Sequence, residues 1–198
     1  ISLCLYLCAR FPIWPVVLVS MMIIGGRQLG LAILVHETVH RSLFKTRALN
    51  DWVGRWLCGA PIWQDLTRYR EHHLKHHKLA GSRDDPDFSL VEHFPVTRKS
   101  LARKLFRDLI GLTGIKRLYA LFLMDFGFLS YTIAADPKRV DQGGQSIADI
   151  LTSGLKNIYP MIIANLFLFG VFSSFNHSWL YLVWVGSYLT RSEERRVG

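Results

Sequence analysis

The sequence predicts an all-α fold: a multi-pass membrane helical bundle with a histidine-rich cytoplasmic region and interfacial amphipathic helices. The distribution of apolar residues is the first observation behind it. They make up 50% of the 198 residues and collect in 1–35, 119–135 and 158–190, while 41–118 hold most of the charge. Soluble helices interleave the two classes turn by turn, whereas spans joined by polar loops separate them. The second observation is that 16 of the 24 Lys and Arg lie between Arg41 and Arg117. In a membrane protein such a block marks the cytoplasmic face beside anionic lipid. The net charge of +9 therefore points to a membrane surface, and no nucleic acid is expected, since no binding module accompanies the charge.

Taken in order, residues 1–9 resemble the tail of a first span, with Arg10-Phe11-Pro12 as its turn, and the natural N-terminus is expected to precede Ile1. Ile13–Val35 is apolar over about 23 residues, against the ~20 needed to cross the hydrocarbon core. Gly25-Gly26-Arg27-Gln28 interrupts it, as a kink or a helix contact, and Arg27 and Gln28 are expected to point inward. Thr97 or Ser100 caps a helix running to about Gly111, with Leu101, Leu105, Leu109 and Ile110 opposite Arg103, Lys104 and Arg107; it should lie in the headgroup region. Leu118–Ala135 contains Asp125 and has basic residues at both ends, which favours a shallow or re-entrant element. Ile158–Phe172 and Trp179–Leu189 form a hairpin about residues 173–178, a turn without Lys or Arg, as expected of an outside loop. Cys4, Cys8 and Cys58 lack metal or disulfide spacing and read as small apolar fillers. The membrane domain is assigned to 1–190. Residues 191–198, RSEERRVG, read like a translated sequencing adaptor and are set apart from the fold.

Seven of the eight histidines fall between positions 36 and 93. Six form two clusters, His36-Glu37-Thr38-Val39-His40 and His72-His73-Leu74-Lys75-His76-His77. A spacing of four puts His36 and His40 on one helix face; His73, His76 and His77 stand at i, i+3 and i+4, again on one face. Imidazole binds iron, zinc and copper, and several rings converging from rigid supports make a metal site. A lone HxxxH is more often structural, and HHLKHH alone could be a wet basic surface. Their placement argues otherwise, because one lies at the end of a span and the other inside the basic block that follows. His93 and His177 have no cluster partner and are expected to be ordinary. Trp63, Gln64 and Asp65 are candidates for shaping the site or its mouth.

In this pattern, HETVH followed by HLKHH within YREHHLKHHKLAGSRDDPDF, the chain resembles the membrane fatty acid desaturase and hydroxylase superfamily, and the likeness in layout covers 12–190. The resemblance implies a non-haem di-iron centre using O2, with His36, His40, His73, His76 and His77 as iron ligands and His72 as a possible further one. The family's third histidine box is absent. It is expected beyond Thr190, within about 30–80 residues, the length of a short linker and a helix, and without it the 198-residue chain is expected to be inactive. Asp84, Asp85 and Asp87 are candidates to hold the ligand rings, because ligating histidines donate their second N–H to a carboxylate or carbonyl; an acidic turn with proline can also simply be solvated.

The implied reaction is removal of hydrogen from a fatty acyl chain or other lipid, giving an alkene or, with hydroxyl transfer, an alcohol. Alkane and carotenoid hydroxylases and ketolases of the same superfamily remain alternatives. Electrons would come from a ferredoxin, a rubredoxin or a cytochrome b5-like protein, and the basic 41–118 block suits an acidic partner. Two other classes compete. HETVH satisfies HExxH, the zinc peptidase motif in which Glu37 would be general base, but no later LDG-like aspartate follows and HHLKHH stays unexplained. The chain could also be a noncatalytic membrane protein. Paired iron, single zinc or no metal separates the three.

Overall fold

A computed structural model describes residues 1–90, 92, 95–133 and 137–191. Among the described residues eight α-helices form: α1 (Ser2–Arg10), α2 (Trp14–Val39), α3 (Arg47–Val53), α4 (Leu66–Leu79), α5 (Arg98–Leu109), α6 (Leu112–Asp125), α7 (Ile147–Ser174) and α8 (Leu180–Thr190). One π-helical turn (Gly54–Gly59) and a 3-10 turn (Ala60–Ile62) connect α3 to α4. Among the described residues the only β pairing is an isolated bridge, Leu129 to Arg139. His93 and the tail 192–198 lie outside the described residues.

Among the described residues two helices are long and apolar enough to cross a membrane, α2 with a mean hydropathy of 1.8 and α7 with 1.5. Their outward faces are apolar too: Leu18, Val19, Met22, Ile23 and Ile33 on α2, and Ile163, Leu166 and Phe167 on α7, are exposed. Such faces suit hydrocarbon surroundings. Helix α2 begins with Pro15 in its first turn, where the missing N–H costs nothing. It runs unbroken through Gly25-Gly26 to Val39, four residues past the expected end, so the first histidine pair stands on its last turn. Gly25 is a helix contact, since a Cβ there would meet the Ser187 carbonyl at 3.1 Å. Gln28 points inward and donates to Trp184 O at 3.0 Å. Arg27 does not; it is exposed. Ile24, Gln28, Ala32 and Val35 share the buried stripe, which Arg27 misses by about 100°.

Three further boundaries differ from expectation. Helix α6 starts at Leu112 and ends at Asp125, leaving 126–133 irregular. Asp125, 4% exposed, ends the helix in an ion pair with Arg68 of α4. Helix α7 begins eleven residues before Ile158, because Ser146 and Asp149 form a reciprocal cap that starts it in polar sequence. Helix α5 is capped by Thr97, as expected, its hydroxyl accepting from Ser100 N–H.

The core has two parts. The larger gathers Cys4, Cys8, Ile24, Ala32, Ile62, Leu180, Val183 and Trp184 from α1, α2, the 3-10 turn and α8. All three cysteines are buried free thiols. The smaller, Val35, Val39, Cys58, Leu66 and Tyr69, welds α2 to α4 beneath the histidines.

Candidate metal centre

Helix α4 carries the second cluster, and Asp65 starts it: its carboxylate accepts from Arg68 N–H at 2.7 Å. Arg70 fastens it to its neighbours, donating to Thr38 O at 3.2 Å and to Asp51 at 2.5 Å. The crossing of α2 and α4 is close because the π-turn presents Gly54 to Thr38; the nearest Thr38 carbon lies 2.8 Å from where a Cβ would stand. Val35 and Leu66 pack just below. The last turn of α2 and the middle of α4 thus face each other over an apolar floor.

On that floor four imidazoles converge. His36, His40, His73 and His77 each offer a ring nitrogen, and the four atoms lie within 4.8 Å of one another. His73 is central, its Nε2 lying 3.0 Å from Nε2 of both His40 and His77. Tyr69, one turn earlier, stacks on the His73 ring at 5.5 Å between centroids. His36 donates through Nδ1 to Glu37 Oε1 at 3.0 Å, and Ser42 holds the other carboxylate oxygen at 2.8 Å.

The remaining two histidines of the second cluster face carboxylates. His76 donates through Nδ1 to Asp85 Oδ1 at 2.8 Å, which leaves Nε2 clear of that bond; its ring lies 5.7 Å from that of His77. His72, buried, donates through Nε2 to Asp87 Oδ1 at 2.8 Å. Asp85 also accepts from the Asp87 N–H at 2.8 Å, so the two acids form one unit. Asp84 is exposed and, among the described residues, makes no hydrogen bond to a histidine. Of the candidate residues, then, four histidines come together, while His76 and His72 sit beside them on Asp85 and Asp87. His177 is apart, donating through Nδ1 to Phe175 O at 2.6 Å. Tyr69, Arg70 and Asp51 went unremarked in the sequence; the Tyr69-to-His73 spacing of four was the available signal.

Protonation follows from this crowding. Burial first, and then the neighbouring His36, His77, His40 and His76, hold His73 down to about 4. Burial followed by His36 also lowers His40. Burial pushes the Asp85 carboxyl up, but hydrogen bonds from His76 and the Asp87 N–H outweigh it, and the group ends below its ordinary value. Neutral imidazoles with carboxylate-held neighbours are the donor state a transition metal requires. Four ring nitrogens within 4.8 Å of one another form a cluster that could hold a metal ion.

Comparison with known proteins gives the family. The sequence model of the fatty acid desaturase family matches residues 12–192. A beta-carotene 4-ketolase from Protosiphon botryoides is 31% identical over 80 residues, 39% of this chain and 21% of that protein. A dihydrorhizobitoxine desaturase from Bradyrhizobium elkanii is 31% identical over 83 residues, 41% of this chain and 23% of the relative. The matched stretches thus span under a quarter of either relative's length. No solved structure matches. With the family match running through both histidine clusters and nearly the whole chain, the protein belongs to the fatty acid desaturase family.

Proposed function

We propose that the chain is the membrane-embedded part of a di-iron oxygenase that desaturates a fatty acyl chain, lipid-linked or as a thioester. The convergence of His36, His40, His73 and His77 where a long apolar helix ends carries this reading. Iron bound there, with O2, would supply the oxidising power to break an unactivated C–H bond, which no side-chain acid or base can do. The chain's own residues set the conditions. His73 and His40 stay neutral and keep lone pairs available, Glu37 orients the His36 ring, and Asp85 and Asp87 fix His76 and His72. The apolar floor beneath limits water. Residues 41–118 lie on the cytoplasmic face, where their positive charge would dock an acidic ferredoxin, rubredoxin or cytochrome b5-like donor.

A second reading, ketolase or hydroxylase, has one observation behind it: one of the two relatives is a ketolase. The zinc peptidase reading is disfavoured, because Glu37 is engaged by His36 and Ser42, and four imidazoles crowd a site that needs two. Elemental analysis of a chain extended through a third histidine box should find two irons, and replacing His73, His76 or His77 by Ala should abolish turnover without loss of membrane insertion. Stoichiometric zinc without iron would refute the assignment. Mass spectrometry of lipids from cells expressing the extended chain separates alkene from alcohol or ketone.

A further inference from the structure

Helix α2 ends where the first histidine pair stands, with His40 as its C-cap. The next residue, Arg41, takes a left-handed backbone, φ 57°, a conformation usually left to glycine at helix ends and adopted by a larger residue only when its surroundings hold it there. Two backbone hydrogen bonds close the turn, Arg41 N–H to Thr38 O and Ser42 N–H to Glu37 O, both at 3.1 Å. Together they make a Schellman motif, which satisfies the last carbonyls of a helix.

That turn carries the Ser42 hydroxyl back to Glu37. Its one proton lies between Glu37 Oε2, 2.8 Å away, and Glu37 O, 2.9 Å away. The other carboxylate oxygen, Oε1, accepts from His36 Nδ1 at 3.0 Å. The segment that follows Ser42 is held from α3 by Asn50, which is fully buried. Its Oδ1 accepts from the Leu43 and Phe44 N–H groups, each at 3.2 Å, while its Nδ2 donates to Thr46 O at 3.0 Å and to Phe44 O. Both ends of the buried amide are satisfied, so 43–46 is fastened to α3 by side chain as well as by sequence.

Ser42 is exposed and the Glu37 side chain is 41% exposed. A hydrogen bond that water can replace contributes little unless its partners are already ordered. Here the backbone turn sets Ser42 in place and Asn50 steadies the chain beyond it, so the carboxylate is fixed on one side before the ring meets it on the other. A fixed carboxylate at Nδ1 keeps the proton there and leaves the Nε2 lone pair of His36 for the cluster.

We infer that Ser42 is a positioning residue of the histidine cluster: delivered by the left-handed turn at Arg41 and steadied by Asn50, its hydroxyl fixes Glu37 and, through it, the Nδ1–H tautomer of His36. This role rests on the metal reading proposed above, since a free Nε2 lone pair matters only if an ion takes it.

Nitrogen-15 NMR of the metal-free, detergent-purified chain, labelled at its histidine rings and held at about pH 8, above the ordinary imidazole range, reads the tautomer directly; His36→Gln identifies the signals. His36 should be in the Nδ1–H form. Ser42→Ala should return it to the mixed tautomers of a free imidazole, and Ser42→Thr, which keeps the hydroxyl, should restore the single form. Arg41→Gly, which suits the left-handed turn, should keep that form, and Arg41→Val, which does not, should lose it. In cobalt(II) titrations of the same proteins Ser42→Ala should bind roughly 10–100-fold more weakly than the unaltered chain, and Ser42→Thr about as tightly as it. An unchanged tautomer in Ser42→Ala, a change too small and too exposed to unfold the chain, would overturn the inference and leave the metal reading standing, as would mixed tautomers in the unaltered chain. Absence of cobalt binding by the unaltered chain would overturn the metal reading and this role with it; the tautomer, read without metal, separates the two failures.

Discussion

His73 sits where two demands meet: it must be buried to lie between α2 and α4, and it must keep a lone pair free. Burial among other imidazoles satisfies both by holding its pKa near 4, against 6.5 for an unperturbed ring. Between these values the unfolded chain takes up the proton and the folded chain does not, so metal-free stability rises with pH across this window. It is present in full above 6.5 and lost as pH falls towards 4. Thermal unfolding of the metal-free chain should therefore shift to lower temperature on acidification through that range, and His73→Gln should flatten the slope; a profile unaffected by the substitution would contradict the assignment. Asp85 acts on His76 through one hydrogen bond. Asp85→Asn should lower iron affinity roughly 10–100-fold, while Asp84→Asn, at an exposed position without a histidine partner, should leave it unchanged; metal titration distinguishes the two. At this scale the i, i+3, i+4 spacing made the shared face legible. Which acid each of His72 and His76 turns to was not, because that depends on how 80–88 folds back over α4, and no local pattern encodes a return.

Among the elements, legibility tracked the strength of local signals. Thr97 capping α5 was readable because a Thr before an amphipathic run is a chemical instruction. Hydropathy does not mark the start of α7, because the Ser146–Asp149 cap, set in polar sequence, governs where the backbone begins to coil. Arg27 was expected inside for its charge, yet helical phase put Gln28 there, whose amide can bond Trp184 O in a way that a desolvated guanidinium would not match. Arg27 on the outer face can extend its stem along the helix towards a polar layer. The π-turn had no readable signature; its glycines show their purpose only in contact. Because the space beside Gly54 is filled by Thr38 and Leu66, Gly54→Ala should destabilise by about 1–3 kcal/mol. At Gly30 of α2 an added Cβ would meet nothing within 4 Å, so Gly30→Ala should be neutral or stabilising by up to about 1 kcal/mol. Thermal unfolding of both variants in detergent checks the contrast, and equal shifts would mean that the π-turn does not set the α2–α4 distance.

At the scale of the whole molecule the question is which side of the membrane each connection occupies. Helix α7 leaves the level of the metal centre: Asn157 donates to Asp125 O and Tyr159 meets Trp56, both beside the elements that support the histidines. From there its apolar face continues through Ile163, Leu166 and Phe167 to Ser174. At 1.5 Å per residue, Asn157 to Ser174 spans about 25 Å, most of a hydrocarbon core. Lys138, Arg139 and Lys156 flank its near end, and the turn 173–178 has no Lys or Arg. Connection 137–146 is therefore expected on the cytoplasmic side with 41–118, and 173–178 on the other. Single cysteines test this directly, since Cys4, Cys8 and Cys58 are buried and should stay silent to a membrane-impermeant thiol reagent. Gln145 is the better reporter on the near side, being exposed, whereas the neighbouring Gln142 amide is engaged with Gly127 O. Ser174 serves on the far side. In intact cells Ser174→Cys should label and Gln145→Cys should not; in inverted vesicles the pattern should reverse. Labelling of both from one side would mean that α7 does not cross, and the positive block could then no longer be assigned to the face opposite the 173–178 turn.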